Sequence, residues 1–200
     1  MRKATGEFED QALIERILAG DTRAFERLVE KYKKRVYYLA YRMTRDHDSA
    51  DELAQESFVR AYQAMSSFRT GRSFYTWIYR ICVNLCINFL KRERHNVSAD
   101  FLRESGLQVD RASDSNQLER LIASEQAAIV KETLNTLPAD QKAVFILKTY
   151  EDMSYEQMAD VMDCSIGTVM SRLFRARHKL KRALEAADME KDRRDDRLQE

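Results

Sequence analysis

The sequence predicts an all-α protein made of two small helical domains joined by a flexible linker. Three observations predict it. Apolar residues recur at helical spacing along most of the chain, and no segment alternates with the period of two that a half-buried strand needs. Glycine and proline number only 5 and 1 in 200 residues, too few for the corners of a turn-dense β fold. Between two helical stretches, residues 96–124 are rich in Asp, Ser, Asn and Arg and carry no sustained period, as a linker would. The expected plan is a first domain over 10–95, a linker over 96–124, a second domain over 125–186 and a charged tail over 187–200. The last residues, Asp188 to Glu200, are expected to fray.

Each element has its own signal. A short helix over about Asp10 to Ala19 ends at Gly20, a suitable C-cap. Phe25, Leu28, Val29, Tyr32, Val36, Leu39, Ala40 and Met43 trace one face of a long helix. Ala50, Leu53, Ala54, Phe58, Ala61, Tyr62 and Met65 trace a second, and Ile78, Ile81, Cys82, Leu85 and Phe89 a third. After the linker, Leu137-Pro138 marks a stop and restart, since proline suits the first turn of the next helix. Val144, Ile146, Leu147 and Tyr150 carry that helix. Ser154-Tyr155-Glu156-Gln157 reads as a capping box opening a helix that runs to about Met162. Asp163-Cys164-Ser165 then makes a tight turn, with Ser165 placed to cap a long helix from Ile166 past Lys181. Met158, Ala159, Met162, Cys164, Ile166, Val169 and Leu173 have the spacing to bury two crossed helices, with the small Ala159 at their closest approach.

Charge is patterned although the net is only +1, from 34 basic and 33 acidic residues. Lys31, Lys33, Lys34, Arg35, Arg42 and Arg45 form a basic block, followed at once by acidic Asp46, Asp48, Asp51, Glu52 and Glu56. A second basic block holds Arg172, Arg175, Arg177, Lys179, Lys181 and Arg182. A basic block suits phosphate, an acidic block suits a basic protein surface, and either also suits a solvated exterior. Asp48, Asp51, Glu52, Gln55 and Val59 fall on one face of the second helix, an acidic stripe matched to a basic partner.

The last helix places Thr168, Ser171, Arg172 and Arg175 on one stripe, away from Val169, Leu173, Ala176 and Leu180. Such a stripe fits the DNA major groove, where Arg can bond guanine O6 and N7, while Lys179, Lys181 and Arg182 would reach phosphates. In the first domain Arg80, Asn84, Asn88 and Lys91 share a polar stripe. Ahead of it a basic loop interleaves Arg69 and Arg72 with Phe68, Phe74, Tyr75 and Trp77, the mixture an unstacked base needs. Phe74 and Trp77 equally fit core positions, and for Trp77 the core is favoured.

Other chemistries are poorly supported. Three cysteines, Cys82, Cys86 and Cys164, make no disulfide framework, and Cys82 and Cys86 with His95 beyond them lack a fourth metal ligand. No P-loop, glycine-rich nucleotide fingerprint or nucleophile–base pairing is present, and His47, His95 and His178 are scattered, so neither an enzyme nor a cofactor or metal is expected. No apolar run approaches a membrane span, and Met1 to Glu7 lacks the apolar core of a signal peptide; a cytoplasmic protein without membrane insertion is expected.

Several of these segments resemble one family. Asp51-Glu52-Leu53-Ala54-Gln55-Glu56-Ser57-Phe58, Ser67-Phe68-Arg69 and Phe74-Tyr75-Thr76-Trp77-Ile78-Tyr79-Arg80-Ile81 resemble region 2 of bacterial RNA polymerase sigma factors. Leu137-Pro138, Ser154 to Ala159 and Gly167-Thr168-Val169-Met170-Ser171-Arg172-Leu173 resemble region 4. The short linker resembles the extracytoplasmic-function group, and the wording is nearest to the sigma-E type. The resemblance implies a dissociable subunit that binds core polymerase, through its β′ coiled coil and β flap, and directs it to promoter DNA, both double- and single-stranded. It implies core binding by Asp48, Asp51, Glu52, Gln55 and Glu56. It implies minus-ten contacts from Phe68, Arg69, Arg72, Phe74, Arg80, Asn84, Asn88 and Lys91, and minus-thirty-five contacts from Thr168, Ser171, Arg172, Phe174, Arg175 and Lys179. An anti-sigma partner is implied too. Met170 departs from the pattern, standing where the family usually has Arg or Lys. A stand-alone helix-turn-helix regulator is the rival reading; it needs a dimer and a palindromic site, and leaves the acidic stripe and aromatic loop without a role.

Overall fold

A computed structural model describes the backbone over residues 2–69, 71–100 and 119–197, and side chains over 8–69, 71–94 and 126–189. It is helical throughout, with no strand among the described residues. Helices α1 (Arg2–Leu18), α2 (Thr22–Thr44), α3 (His47–Gln63) and α4 (Phe74–Asp100), with a 3₁₀ turn at Met65–Ser67, make the first head. Helices α5 (Glu119–Thr136), α6 (Ala139–Thr149), α7 (Tyr155–Met162) and α8 (Ile166–Arg197) make the second. The linker expectation for 96–124 falls largely on residues outside those described. Helix α8 runs to Arg197, well into the stretch expected to fray.

The elements start and stop on local chemistry. Asp21 and Asp46 cap α2 and α3 with their carboxylates, accepting from the Arg23 and Ser49 amides. Both carboxyls sit below their usual range: Arg16 beside Asp21, and the Ser49 bonds to Asp46, favour the charged form. Arg45 closes α2 in the left-handed region at φ 64°, its amide returned to the Tyr41 carbonyl. Gly20, at φ 99°, makes the turn between α1 and α2. The expected capping box is formed, Gln157 N donating to Ser154 Oγ and Ser154 N to Gln157 Oε1. The turn into α8 is also as expected: Asp163 is left-handed and Ser165 Oγ accepts from the Thr168 amide at 3.2 Å.

The stripe assigned to α2 is buried, with Val29 partly so. In α3 only Tyr62 departs, exposed at the rim where its ring packs edge-on against Phe25. Helix α4 is buried more fully than a single stripe: Tyr79, Val83 and Ile87 join Ile78, Cys82, Leu85 and Cys86. The reason is tertiary. Helix α4 packs on α2 and α3, and α6 and α7 of the second head lie against it as well, so one apolar cluster runs through both heads. This contact was not foreseen from the sequence. In the second head Val161 is buried, whereas Ile166, expected in the core, is exposed on the first turn of α8.

Candidate nucleic-acid interface

The acidic stripe is presented as expected. Asp48, Asp51, Glu52 and Gln55 are exposed along α3, and Glu56 is partly exposed and paired with Arg60 at 2.7 Å. Asp51 accepts from Gln55 at 2.7 Å, which keeps the carboxylate oriented along the helix. Val59 and Tyr62 extend the stripe with exposed apolar surface. A groove beside it, lined by Val29, Tyr37, Tyr38, Ala54 and Phe58 with Lys33 and Lys34 at its edge, has a volume of about 440 Å³. This face therefore offers anions, an apolar trough and flanking cations together, the mixture that protein–protein contacts use.

The loop before α4 is built differently from the sequence expectation. Arg69 and Arg72 are exposed, but Phe68 and Phe74 are buried, 6% and 1% accessible. Neither presents a face to a nucleic acid. They join Trp77 in an edge-on cluster, Phe68 lying 4.9 Å from the Trp77 ring and Phe74 5.7 Å from it. Burying two or three rings under a short loop fixes its path. The aromatics thus anchor the loop and leave its arginines outward. Trp77, favoured as core, is partly buried. Asn84, Asn88 and Lys91 are exposed in a line along α4, and Arg80 continues the line toward the loop. Tyr75, beneath this surface, has its phenol pushed up to about 12 by burial and then by the Glu151 carboxylate, so it stays neutral.

On α8 the reading stripe is also exposed, with Ser171, Phe174, Arg175 and Lys179 outward and Thr168 and Arg172 partly covered. Phe174 is 70% exposed and stacks on His178 at 6.1 Å. An exposed phenyl group beside Ser171 and Arg175 suits the apolar methyl of thymine next to a guanine edge. Arg172 is held in place by Asp140 at 3.5 Å and Cys164 Sγ at 3.7 Å, tying α8 to α6. Lys179 donates to the Thr136 carbonyl at 3.1 Å, which satisfies the end of α5. Met170 is half exposed on the same helix.

The sequence reading missed Glu151. It sits in the turn after α6, accepts from Tyr79 and Arg42 of the first head, and has no periodic neighbour that would mark it. Cys82 and Cys86 lie in the core; the hydrogen bond with Cys82, and then burial, raise the Cys86 thiol pKa, so it is held as a neutral thiol.

Two family models match the chain, Sigma-70 region 2 over residues 28–96 and Sigma-70, region 4 over residues 127–180. The chain is 40% identical over 182 residues to the RNA polymerase sigma-H factor of Pseudomonas aeruginosa, covering 88% of this chain and 94% of that protein. It is 39% identical over 181 residues to the ECF RNA polymerase sigma-E factor of Haemophilus influenzae, covering 88% and 95%. Among solved structures it is similar to CnrH in complex with the cytosolic domain of CnrY, with a TM-score of 0.63 and 25% identity over 89% of this chain and 98% of that one. It shares its fold with the sigma factor RpoE in complex with the anti-sigma factor NepR from Bartonella quintana, at a TM-score of 0.63 and 24% identity over 82% and 98%. With the acidic α3 edge, the basic loop and α4, and the capped helix-turn-helix falling inside the two matched regions, the chain belongs to the sigma-70 family, as an RNA polymerase sigma factor of the extracytoplasmic-function type.

Proposed function

We propose that this sigma factor works through three surfaces, each with its own partner. The exposed α3 stripe of Asp48, Asp51, Glu52, Gln55 and Glu56 docks on a basic surface of core polymerase. Arg69, Arg72, Arg80, Asn84, Asn88 and Lys91 receive the opened minus-ten strand. Thr168, Ser171, Arg172, Phe174, Arg175 and Lys179 meet the minus-thirty-five duplex. The observation that carries this reading is the pattern of charge: an anionic edge runs along α3, with Lys33 and Lys34 of α2 beside it, and the loop, α4 and α8 each carry outward cations.

Opening the promoter needs no reaction at this chain, which acts as a cytoplasmic, non-catalytic initiation factor. Extruding a base costs a few kcal/mol, and stacking and pocket contacts return ~1–3 kcal/mol per base. The aromatic anchors hold the loop so that its donors are already placed when the strand arrives. A net charge of +1 gives the free chain little non-specific pull on DNA. Specific binding is therefore expected to be weak until polymerase holds both heads and raises their effective concentration. CnrH and RpoE were each solved in a complex, with CnrY and the anti-sigma factor NepR. We infer that a protein of that kind controls this chain as well.

The test reverses the charges of Asp51, Glu52 and Glu56 to lysine. All three side chains are exposed or nearly so, and the Glu56–Arg60 pair at the surface contributes little to stability. The variant is expected to keep its helical circular dichroism and to lose core polymerase binding and run-off transcription. Unchanged attachment to polymerase would overturn the assignment.

A further inference from the structure

Helix α8 carries fewer free polar side chains on its outer face than its sequence implies. Thr168 Oγ1 is hydrogen-bonded with Ser165 Oγ at 2.9 Å, Arg172 is held by Asp140 and Cys164, and Lys179 donates to the Thr136 carbonyl. Ser171 Oγ donates to the Thr168 carbonyl at 3.0 Å, so it offers the solvent an acceptor only. Arg175 is exposed and makes no ion pair among the described residues. Beside these groups lies an apolar row. Ile166, Met170 and Phe174 are 41%, 52% and 70% exposed, and they stand four residues apart on successive turns. At 1.5 Å per residue the row is about 12 Å long. A contiguous exposed apolar row marks a surface that meets a partner.

The charge around the row identifies the partner. From Ile166 to Leu184 the helix holds six Arg and Lys residues and no acidic one. Apolar side chains set among cations alone match a polyanion that also bears apolar groups. Duplex DNA is such a partner: its phosphates supply the charge, and the apolar group in its major groove is the C5 methyl of thymine. Base pairs are stacked about 3.4 Å apart, so side chains about 6 Å apart on the helix fall on bases one or two steps apart. Gly167, exposed in the first turn, fits the same partner. Only Ser165 Oγ, at 3.9 Å, lies near the place where its Cβ would stand, so packing within the protein does not require a glycine there. A partner whose surface approaches the backbone closely does require one.

We propose that Met170 is a specificity-determining residue: it reads a thymine methyl in the minus-thirty-five duplex, beside a second methyl read by Phe174, and Ile166 extends the apolar edge. The proposal deepens the assignment of α8 to that duplex and rests on it. An arginine at position 170 would be long enough to pass the base edge and bond a phosphate, which adds affinity without sequence preference. The thioether of methionine has no such option and can only pack, adapting its three rotatable bonds to the group it meets. The chain is thereby matched to a minus-thirty-five element with two neighbouring thymines.

The experiment uses the full chain assembled with core polymerase and a pool of promoter duplexes randomised over the minus-thirty-five element. Bound duplexes are sequenced, and the preferred element is remade with each thymine in turn replaced by uracil, which removes the methyl alone. Two of these replacements are each expected to lower the affinity of the wild-type assembly about three- to fivefold, the worth of one buried methyl. In M170A one of the two effects is expected to vanish, in F174A the other, and M170L is expected to keep both. M170R is expected to lose the same methyl effect as M170A, together with the preference for thymine at that position of the pool. G167A is expected to bind thymine and uracil elements less well alike, with a melting temperature no lower than wild type. M189A, at an exposed methionine far along the same helix, is expected to behave as wild type. Uracil elements bound as tightly as thymine ones by the wild type would overturn the proposal. So would methyl effects that survive unchanged in M170A, or that disappear in M189A. G167A binding as tightly as wild type would overturn the close approach, and the methyl contacts with it. R175A is measured alongside. If it binds the selected element as wild type does, the assignment of α8 to the duplex falls; if it loses the element while the methyl effects are absent from the wild type, the role of Met170 alone falls.

Discussion

The two heads solve the problem of meeting DNA in opposite ways. The first head turns its aromatic rings inward: Phe68 and Phe74 are buried under the loop, and arginines and asparagines form the outer surface. The second head turns a ring outward, with Phe174 70% exposed on α8 beside Ser171 and Arg175. A duplex is rigid and presents shaped edges, so a reading helix gains by carrying its apolar contact on the surface. A single strand is flexible, so the loop that receives it gains from being fixed beforehand, and its rings serve best as anchors. The same residue type is thus a buried anchor in one head and an exposed ring in the other, where we propose that it meets the duplex.

The largest test of that contrast is the pair Phe74→Ala and Phe174→Ala. Phe74→Ala is expected to lower stability by about 3–5 kcal/mol in chemical denaturation, as truncation of a buried ring does. Phe174→Ala is expected to change stability by less than about 0.5 kcal/mol and to weaken minus-thirty-five duplex binding instead. If the two variants lost similar stability, the contrast between the heads would fail.

Next in size is Lys142, buried on α6 with its ammonium donating to Asn135 Oδ1 at 3.2 Å. Burial, and then the like charges of Arg45 and Arg94, lower its pKa from 10.5 to about 8. The unfolded chain therefore holds this proton more tightly than the folded one, so stability rises as pH climbs from about 8 to 10.5. Below that window the burial penalty is fully felt. Lys142→Met is expected to stabilise the protein by ~1–3 kcal/mol at pH 7 and to flatten the rise, as followed by urea melts across the window. A variant with the wild-type slope would show that Lys142 is not its source.

Smaller effects sharpen the comparison within the second head. Ser154→Ala removes the side-chain half of the capping box on α7 and is expected to cost about 1 kcal/mol. Thermal melting of the full chain measures it. Met170→Arg should strengthen duplex binding and steepen the salt dependence by about 0.9 in the slope of log K against log salt, one phosphate contact's worth. An unchanged slope would show that this position faces no phosphate.

Most of the fold was legible because most of it is local. The α2 stripe, the caps at Ser154 and Ser165 and the turn at Asp163 each depend on residues within a few positions, and the structure shows them as expected. Helix α4 was read too narrowly, because Tyr79 and Val83 are covered by elements far along the chain and periodicity does not report distant partners. The loop aromatics were open to two readings in the sequence, since an exposed stacking ring and a buried anchor have the same composition; only packing separates them. Glu151 lay beyond reach for the same reason: its two donors are 72 and 109 positions away. The exposure of the acidic stripe and of Ser171 and Arg175 was legible, because charge patterning marks solvent-facing surface.

Around Lys142 the joint between the heads gathers Arg45 from the end of α2 and Arg94 from α4, the latter donating to the carbonyls of Asn135 and Leu137. Three like charges meet at this edge of the joint, while the Glu151 carboxylate accepts from Arg42 and Tyr79 elsewhere along it. Arg94 both raises the cost of a charge on Lys142 and binds two carbonyls of the second head, so the edge where like charges gather is also one where the two heads are fastened.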